Sequence, residues 1–287
     1  MSDQKVAVIT GSSSGIGLLT AIEFAQHGYF VVATLRDPGR AAKLEEAAAK
    51  AGVREKLDIR RVDVTEFDSL PGVVEAIVRD HGRIDVLVNN AGFSVAGFSE
   101  DLSLADIRHQ FETNFFGTVA MSKAVIPVMR NQKSGHIIQV ASVAGHLGQP
   151  MLGAYCSSKF ALEGWSESLR IETHSLGIRV VLVEPGAFET DIWTRNAVIS
   201  EGTQAIAAAP DSPRKSLLTR WRDRVQSRTN RADPQLVADL IAVILRNPNP
   251  SLRYAIGTDA WGALLAKKIL PAGVFENMVF KNSGIAE

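Results

Sequence analysis

The chain has little of what marks several large protein classes. Its 287 residues include one cysteine, Cys156. A lone thiol cannot close an internal disulfide, which suits a reducing compartment and leaves the fold to rest on its core. Neither charge is in excess: 31 Lys and Arg against 31 Asp and Glu leave a formal net charge of zero. A nucleic-acid protein would carry a basic excess or stripe, and a protein held to an anionic membrane surface a polybasic segment. No apolar run approaches the ~20 residues that a membrane-spanning helix needs. Residues 1–5 lead straight into a short apolar run without the pattern of a secretory signal, so the expected location is cytoplasmic. The six histidines form no H-E-x-x-H pair and no carboxylate cluster along the sequence, and no metal site is expected.

What is present is the composition of an ordinary folded domain, 46% hydrophobic and 22% charged, with enough apolar residues to exclude wholesale disorder. Short β-branched runs alternate with longer helical patterns. Strands are predicted over residues 6–10, 30–34, 59–64, 84–88, 136–141 and 179–183, with a last one at 254–257. They are continuous rather than alternating in hydrophobicity, the mark of strands buried on both faces. Helices are predicted over 16–27, 41–51, 68–80, 104–112, 118–131, 154–174 and about 233–246. Gly28 is read as a C-cap, and Asp37-Pro38 as an N-cap with proline at the first helical position. This order implies an α/β, Rossmann-type doubly wound parallel sheet with helices on both faces. One domain over 1–287 is expected. Residues 191–232, irregular in pattern, are read as an active-site lid, and 233–287 as a C-terminal helix and last strand.

Between the first strand and first helix lies Thr10-Gly11-Ser12-Ser13-Ser14-Gly15-Ile16-Gly17. Glycines there permit positive φ and close backbone approach, and the helix N-terminus offers free N–H groups to a diphosphate. The spacing is G-x-x-x-G-x-G, neither the commoner dinucleotide fingerprint nor a P-loop. Alone it is compatible with dinucleotide binding or with a plain tight turn.

Taken with Asn89-Asn90-Ala91-Gly92, Asn114, Ser142, Tyr155-Cys156-Ser157-Ser158-Lys159 and Pro185-Gly186, the loop resembles the short-chain dehydrogenase/reductase family. Arg253-Tyr254-Ala255-Ile256-Gly257 with Asp259-Ala260, and the stretch from Ala33 to Asp37, resemble its hydroxysteroid 17β-dehydrogenase-like branch. The resemblance implies about seven strands, a bound NAD(H) or NADP(H), and hydride transfer at a carbonyl or carbinol carbon. It implies cofactor contacts from Gly11, Ser13, Ser14, Gly15, Ile16, Gly17, Asp63, Val64, Asn90, Ala91, Gly92, Pro185, Gly186 and Thr190, as well as from Tyr155 and Lys159. It also implies a catalytic set of Asn114, Ser142, Tyr155 and Lys159, in which Asn114 holds a water that joins Lys159 to a proton relay. Assembly as a homodimer or homotetramer through helices 118–131 and 154–174 is a further implication. Asp63 read alone would be a strand-end carboxylate capping a turn.

The residues support the catalytic part. Tyr155 and Lys159 stand four apart on one helix face. A phenol with an ordinary pKa near 10 is a poor acid or base at neutral pH, and a nearby ammonium is expected to lower it into general acid–base range. Ser142, at a strand end, can donate to a substrate oxygen as charge develops.

The end of the second strand bears on cofactor choice. Leu35 stands where NAD-preferring relatives carry Asp, and Arg36 follows with a guanidinium suited to a 2′-phosphate; Asp37 is better used as a cap. Ser14, where some NADP-dependent relatives carry a basic residue, speaks the other way. NADP(H) is favoured over NAD(H). Residues 143–152, with Phe93, Val95, Phe188 and Trp193, are expected to line a pocket for an apolar carbonyl or secondary-alcohol substrate. His146 is read as a loop histidine bonded to backbone or solvent, and Cys156, about 100° around the helix from Tyr155, as packed. The reading is an NADPH-dependent ketone reductase. Its alternatives are an NAD-dependent alcohol dehydrogenase and a cofactor-bound regulator without turnover.

Overall fold

The apolar runs become the middle of a seven-stranded parallel sheet. In the computed structural model, which describes residues 4–193, 196–209, 212, 214–226 and 231–283, its order is β3-β2-β1-β4-β6-β7-β9. The strands are β1 (Val6–Ile9), β2 (Phe30–Leu35), β3 (Leu57–Arg61), β4 (Val86–Asn89), β6 (Gly135–Val140), β7 (Ile178–Pro185) and β9 (Arg253–Ile256). β1 and β4 are buried throughout, as strands covered on both faces must be. One face is covered by α1 (Gly15–Gln26), α2 (Ala42–Lys50) and α9 (Gln235–Ile244), packing through Phe24, Leu44 and Ile241. The other is covered by α3 (Leu70–His81), α5 (Thr118–Gln132) and α6 (Gly153–Thr173), through Leu70, Ile77, Met121, Val125 and Leu169.

The strand order reverses between β1 and β4, which pair in register Ile9 with Val88. Such a reversal opens a crevice at the carboxyl ends of the two strands. All strands are parallel, so residues 10–17, 36–40, 89–93, 141–142 and 185–190 emerge at the same edge of the sheet.

Several elements differ from the sequence expectation. Asp37 does cap, accepting from Gly39 N at 2.9 Å, but it caps a 3-10 turn (Pro38–Arg40); α2 begins only at Ala42. Helix α4 (Leu104–Phe111) runs into α5 through a π-helical turn, Glu112–Gly117. Gly117 is needed there because a Cβ would sit 2.7 Å from Val64 Cγ2. Where the expected irregular stretch 191–232 is described, it is largely regular: a 3-10 turn at Asp191–Trp193, β8 (Ala197–Ile199), α7 (Glu201–Ala208) and α8 (Arg214–Gln226). β8 pairs in parallel with β5 (Ser94–Ala96) in a small second sheet. Two further helices, α10 (Thr258–Ile269) and α11 (Ala272–Ser283), follow β9. They carry no buried apolar stripe, only Ala260 being fully buried in α10, so periodicity gave no sign of them. Among the described residues no helix is long and apolar enough to cross a membrane.

Candidate active site

The crevice holds a cleft of about 360 Å³, lined at one end by Gly11, Ser13, Ser14, Gly15 and Ile16 and at the other by Ser142, Tyr155, Lys159, Pro185, Gly186 and Thr190. Arg36, Asp63, Val64, Asn90, Ala91 and Gly92 line it between. Two positions in the expected set stand behind the wall instead. Gly17 is packed under the loop, where a Cβ would meet Asn90 Nδ2 at 2.3 Å and Gly11 O at 2.5 Å. Asn114 is 1% exposed, with its side chain committed to Phe93: Oδ1 accepts from Phe93 N at 3.1 Å and Nδ2 donates to Phe93 O at 3.0 Å.

The glycine loop is built for close approach. Gly11 has φ +70° and would clash with Ala91 Cα at 2.8 Å if it carried a Cβ. Asn90 Nδ2 donates to Thr10 O and Gly11 O, and Asn90 N to Thr10 Oγ1, which locks the end of β4 to the loop. The first turn of α1 has no acidic residue, and Ser14 caps it with no side-chain hydrogen bond. Its N–H groups and positive dipole end therefore face the cleft, as a bound diphosphate requires. At the far rim Arg36 is joined by Arg40, one turn on, both exposed and both lining the cleft. Arg40 was not anticipated. Asp63 lines the cleft, and as a strand-end cap its Oδ1 accepts from Thr65 N at 3.0 Å and Thr65 Oγ1 at 2.8 Å.

At the other end Tyr155 and Lys159 lie on the buried face of α6, 3% and 6% exposed. Lys159 Nζ donates to Val140 O at 2.8 Å and sits 5.9 Å from the centre of the Tyr155 ring. Ser142 accepts from Ala144 N at 3.2 Å and donates to Pro185 O at 3.4 Å. Burial pushes the Tyr155 phenol up to about 12, with a hydrogen bond to Ser142 pulling the other way. Burial also pulls the Lys159 ammonium down to about 8. This corrects the expectation that Lys159 lowers Tyr155. Desolvation of the buried ring outweighs the hydrogen bond from Ser142, so the shift is upward.

The expected substrate wall is also corrected. Phe93 and Phe188 line the cleft, together with His109, Thr113, Ile192, Asn196 and Val198. Residues 143–152 do not. Val143, Ala144, Met151 and Leu152 are buried, and Ala144 and Leu152 pack with Ala96, Tyr155 and Cys156. Val95 is 1% exposed and donates from its N to Gln110 Oε1, away from the cleft; the side chain of Trp193 lies outside the described ones. Cys156 is packed, its thiol pushed up to about 11 by burial. His146, a quarter exposed, lies beside Glu184, with Nε2 3.2 Å from Oε1. Folding thus gathers a histidine and carboxylates that are scattered in the sequence.

A doubly wound sheet with a glycine cradle at its switch point and a buried Ser/Tyr/Lys group beside it defines a nicotinamide-type oxidoreductase architecture. The chain belongs to the short-chain dehydrogenase family, whose model (short chain dehydrogenase) matches residues 5–198. It is 40% identical to the uncharacterized oxidoreductase YusZ of Bacillus subtilis over 97% of this chain and 98% of that one. It is 35% identical to estradiol 17-beta-dehydrogenase 1 of Rattus norvegicus over 88% of this chain and 73% of that one. The solved structure of ElxO with NADP bound superposes with a TM-score of 0.72, at 25% identity, over 90% of this chain and 99% of that chain.

Proposed function

We propose that the protein is an NADPH-dependent reductase of apolar ketones, with Tyr155 as the proton donor. The observation that carries this is geometric: Ser142, Tyr155 and Lys159 line one end of the same cleft whose other end is the glycine loop, which sets a protonated phenol beside the place for a carbonyl. The cleft fits the cofactor through its uncapped helix end and its glycine cradle. Gly11, Ser13, Ser14, Gly15 and Ile16 would hold the diphosphate, Asp63 and Val64 the adenine side, and Asn90, Ala91, Gly92, Pro185, Gly186 and Thr190 the nicotinamide side. When bound, the nicotinamide supplies the hydride for the carbonyl carbon.

The remaining steps belong to the protein. Ser142 donates a hydrogen bond to the substrate oxygen and holds the carbonyl in place. Tyr155 gives its proton to that oxygen as negative charge develops there. Lys159, held by Val140 O, stabilises the phenolate that results. Asn114, behind the cleft wall with its carbonyl accepting from Thr118 Oγ1 at 3.2 Å, is proposed to hold a water that joins Lys159 to the relay. Phe93, Phe188, Ile192 and Val198 form the apolar part of the substrate end, and residues 191–232 act as its lid within a single domain. Support for an apolar ketone comes also from the rat relative, whose name gives estradiol.

The pH dependence follows from Lys159. The ammonium is present below about 8 and lost above it. Reductive kcat is expected to hold a plateau on the acid side of that value and to fall on the alkaline side. A rate that rises through the same range in a stopped-flow pH series would contradict the assignment.

Arg36 and Arg40 are proposed to take the 2′-phosphate of NADPH. Replacing either with Ala removes a charge-assisted hydrogen bond, so KM for NADPH should rise about tenfold per arginine while KM for NADH stays unchanged. Equal losses with both cofactors in steady-state assays would place the arginines elsewhere. A homodimer or homotetramer through α5 and α6 is also proposed, supported by the exposed Phe160 and Ile171 on α6.

A further inference from the structure

Behind the cleft, one side chain from each of three catalytic elements meets in a buried cluster. His146 follows Ser142 by four residues, Glu163 follows Lys159 by one helical turn, and Glu184 immediately precedes Pro185. His146 Nε2 lies 3.2 Å from Glu184 Oε1 and 3.8 Å from Glu163 Oε2. Arg253, from the edge strand β9, places Nε 3.0 Å from Glu163 Oε2 and 3.3 Å from Glu184 Oε1. Its other end is shared with Glu167 on the surface of α6. Lys267 of α10 donates to the backbone oxygen of His146 and lies over the Phe160 ring.

Once both buried carboxylates are ionised, the charges do not balance without the histidine. Glu163 and Glu184 are 5% and 1% exposed, and together with Glu167 they face one guanidinium. A buried carboxylate without a counter-charge is strongly unfavourable, and the two neighbouring lysines are committed to backbone oxygens, Lys159 to Val140 O and Lys267 to His146 O. A divalent ion is not the missing charge, because the Arg253 guanidinium already stands among the oxygens that such an ion would bind.

We propose that His146, as the imidazolium, is a positioning residue that closes this cluster and so fixes residues 143–152, and with them Ser142, against α6. Loss of its proton releases the segment and lowers turnover. The inference rests on the ketone-reductase reading only for its effect on turnover; the ordering of the segment stands apart from it.

The sign is set by two titrations. Glu184 and Glu163 raise His146 above its ordinary value, so the stabilisation is complete at pH values below that value and is lost as pH rises through the raised one. Glu163 is pushed up to about 7 by burial and by Glu184. It also weakens the folded cluster as pH rises, an effect half complete at that value and finished about one pH unit above it. A change further to the alkaline side belongs to His146. Each unit by which the cluster raises the histidine corresponds to about a tenfold preference of the ordered segment for the charged ring.

The test is amide hydrogen exchange over residues 143–152, corrected for the intrinsic pH effect, in the wild type and His146→Gln at mildly acidic and mildly alkaline pH. Turnover of NADPH with a ketone is followed beside it. The expected result is wild-type protection that falls about tenfold toward alkaline pH, and His146→Gln protection that is low throughout and changes only with the titration of Glu163. The kcat advantage of the wild type over His146→Gln should likewise be about tenfold on the acid side and vanish on the alkaline side, with KM for NADPH unchanged. Taking that ratio removes the separate effect of Lys159. Identical exchange in the two proteins at both pH values would overturn the proposal. So would protection that disappears with EDTA, since a bound ion would then close the cluster. If His146→Gln does not fold, the wild type alone decides: the NMR titration of the His146 ring must coincide with the loss of protection, and a separation beyond about one pH unit overturns the link. Wild-type enzyme that turns over no ketone while the exchange behaves as stated would refute the reductase reading and leave the positioning role standing.

Discussion

Tyr155→Phe is expected to lower kcat for ketone reduction by about three orders of magnitude, at the strong end of what a positioned general acid contributes. The reason is local. The substitution removes one oxygen from a ring that is 3% exposed and packed against Ala96, Ala144, Leu152 and Cys156, so the packing stays. The hydrogen bond with Ser142 is lost, which should cost about 1 kcal/mol of stability. Cofactor affinity should change little, because the residues proposed to hold the diphosphate and adenine line the opposite end of the cleft. Stopped-flow kinetics and a fluorescence titration with NADPH check both halves. Wild-type kcat in the variant would remove Tyr155 from the chemistry. A parallel loss of NADPH binding would show that it acts through the cofactor instead.

Gly17→Ala should have a comparably large effect by a different route. The new methyl would lie 2.3 Å from Asn90 Nδ2 and 2.5 Å from Gly11 O. Neither neighbour can retreat freely: Asn90 is bonded to Thr10 O and Gly11 O, and Gly11 already occupies φ +70° under Ala91. Overpacking at such a point costs about 1–3 kcal/mol or more. The displaced loop would also no longer present its N–H groups to the diphosphate. Affinity for NADPH should fall by about 100-fold, roughly the 3 kcal/mol of two charge-assisted hydrogen bonds, and Tm should drop with it. Isothermal titration and thermal unfolding read the two effects separately. A variant that binds NADPH as tightly as the wild type would show that the loop does not cradle the cofactor. The expected role of Gly17 was a cofactor contact; its position makes it a spacer beneath one.

The parts of the site that were legible in the sequence are those whose geometry is set by neighbours along the chain. Tyr155 and Lys159 share a helix face because they are four apart, and the glycine loop sits between a strand and a helix because the hydrophobic period changes there. The sheet was legible for the same reason: β1, β4 and β7 are continuous apolar runs. Boundaries moved where a side chain offered a competing hydrogen bond, as when Asp37 closes a 3-10 turn and delays α2 to Ala42. The helices α7, α8, α10 and α11 were not legible because they lie mostly at the surface and lack an apolar stripe, the main signal for a helix. Long-range meetings were the least legible. Arg40 joins Arg36 only through the turn capped by Asp37, and His146 reaches Glu184 across 38 positions only because β6 and β7 pair. The direction of the Tyr155 shift is not legible in the sequence, because desolvation depends on burial in the fold, which no local spacing encodes.

The most direct measurement of the central claim is kcat/KM of the wild-type protein with a panel of apolar ketones, run in parallel with NADPH and NADH. The account predicts steady consumption of NADPH, with an efficiency about tenfold or more above that with NADH for the same ketone, the share of a charge-assisted contact to the 2′-phosphate. No turnover of any carbonyl with either cofactor, or equal efficiency with both, would contradict it.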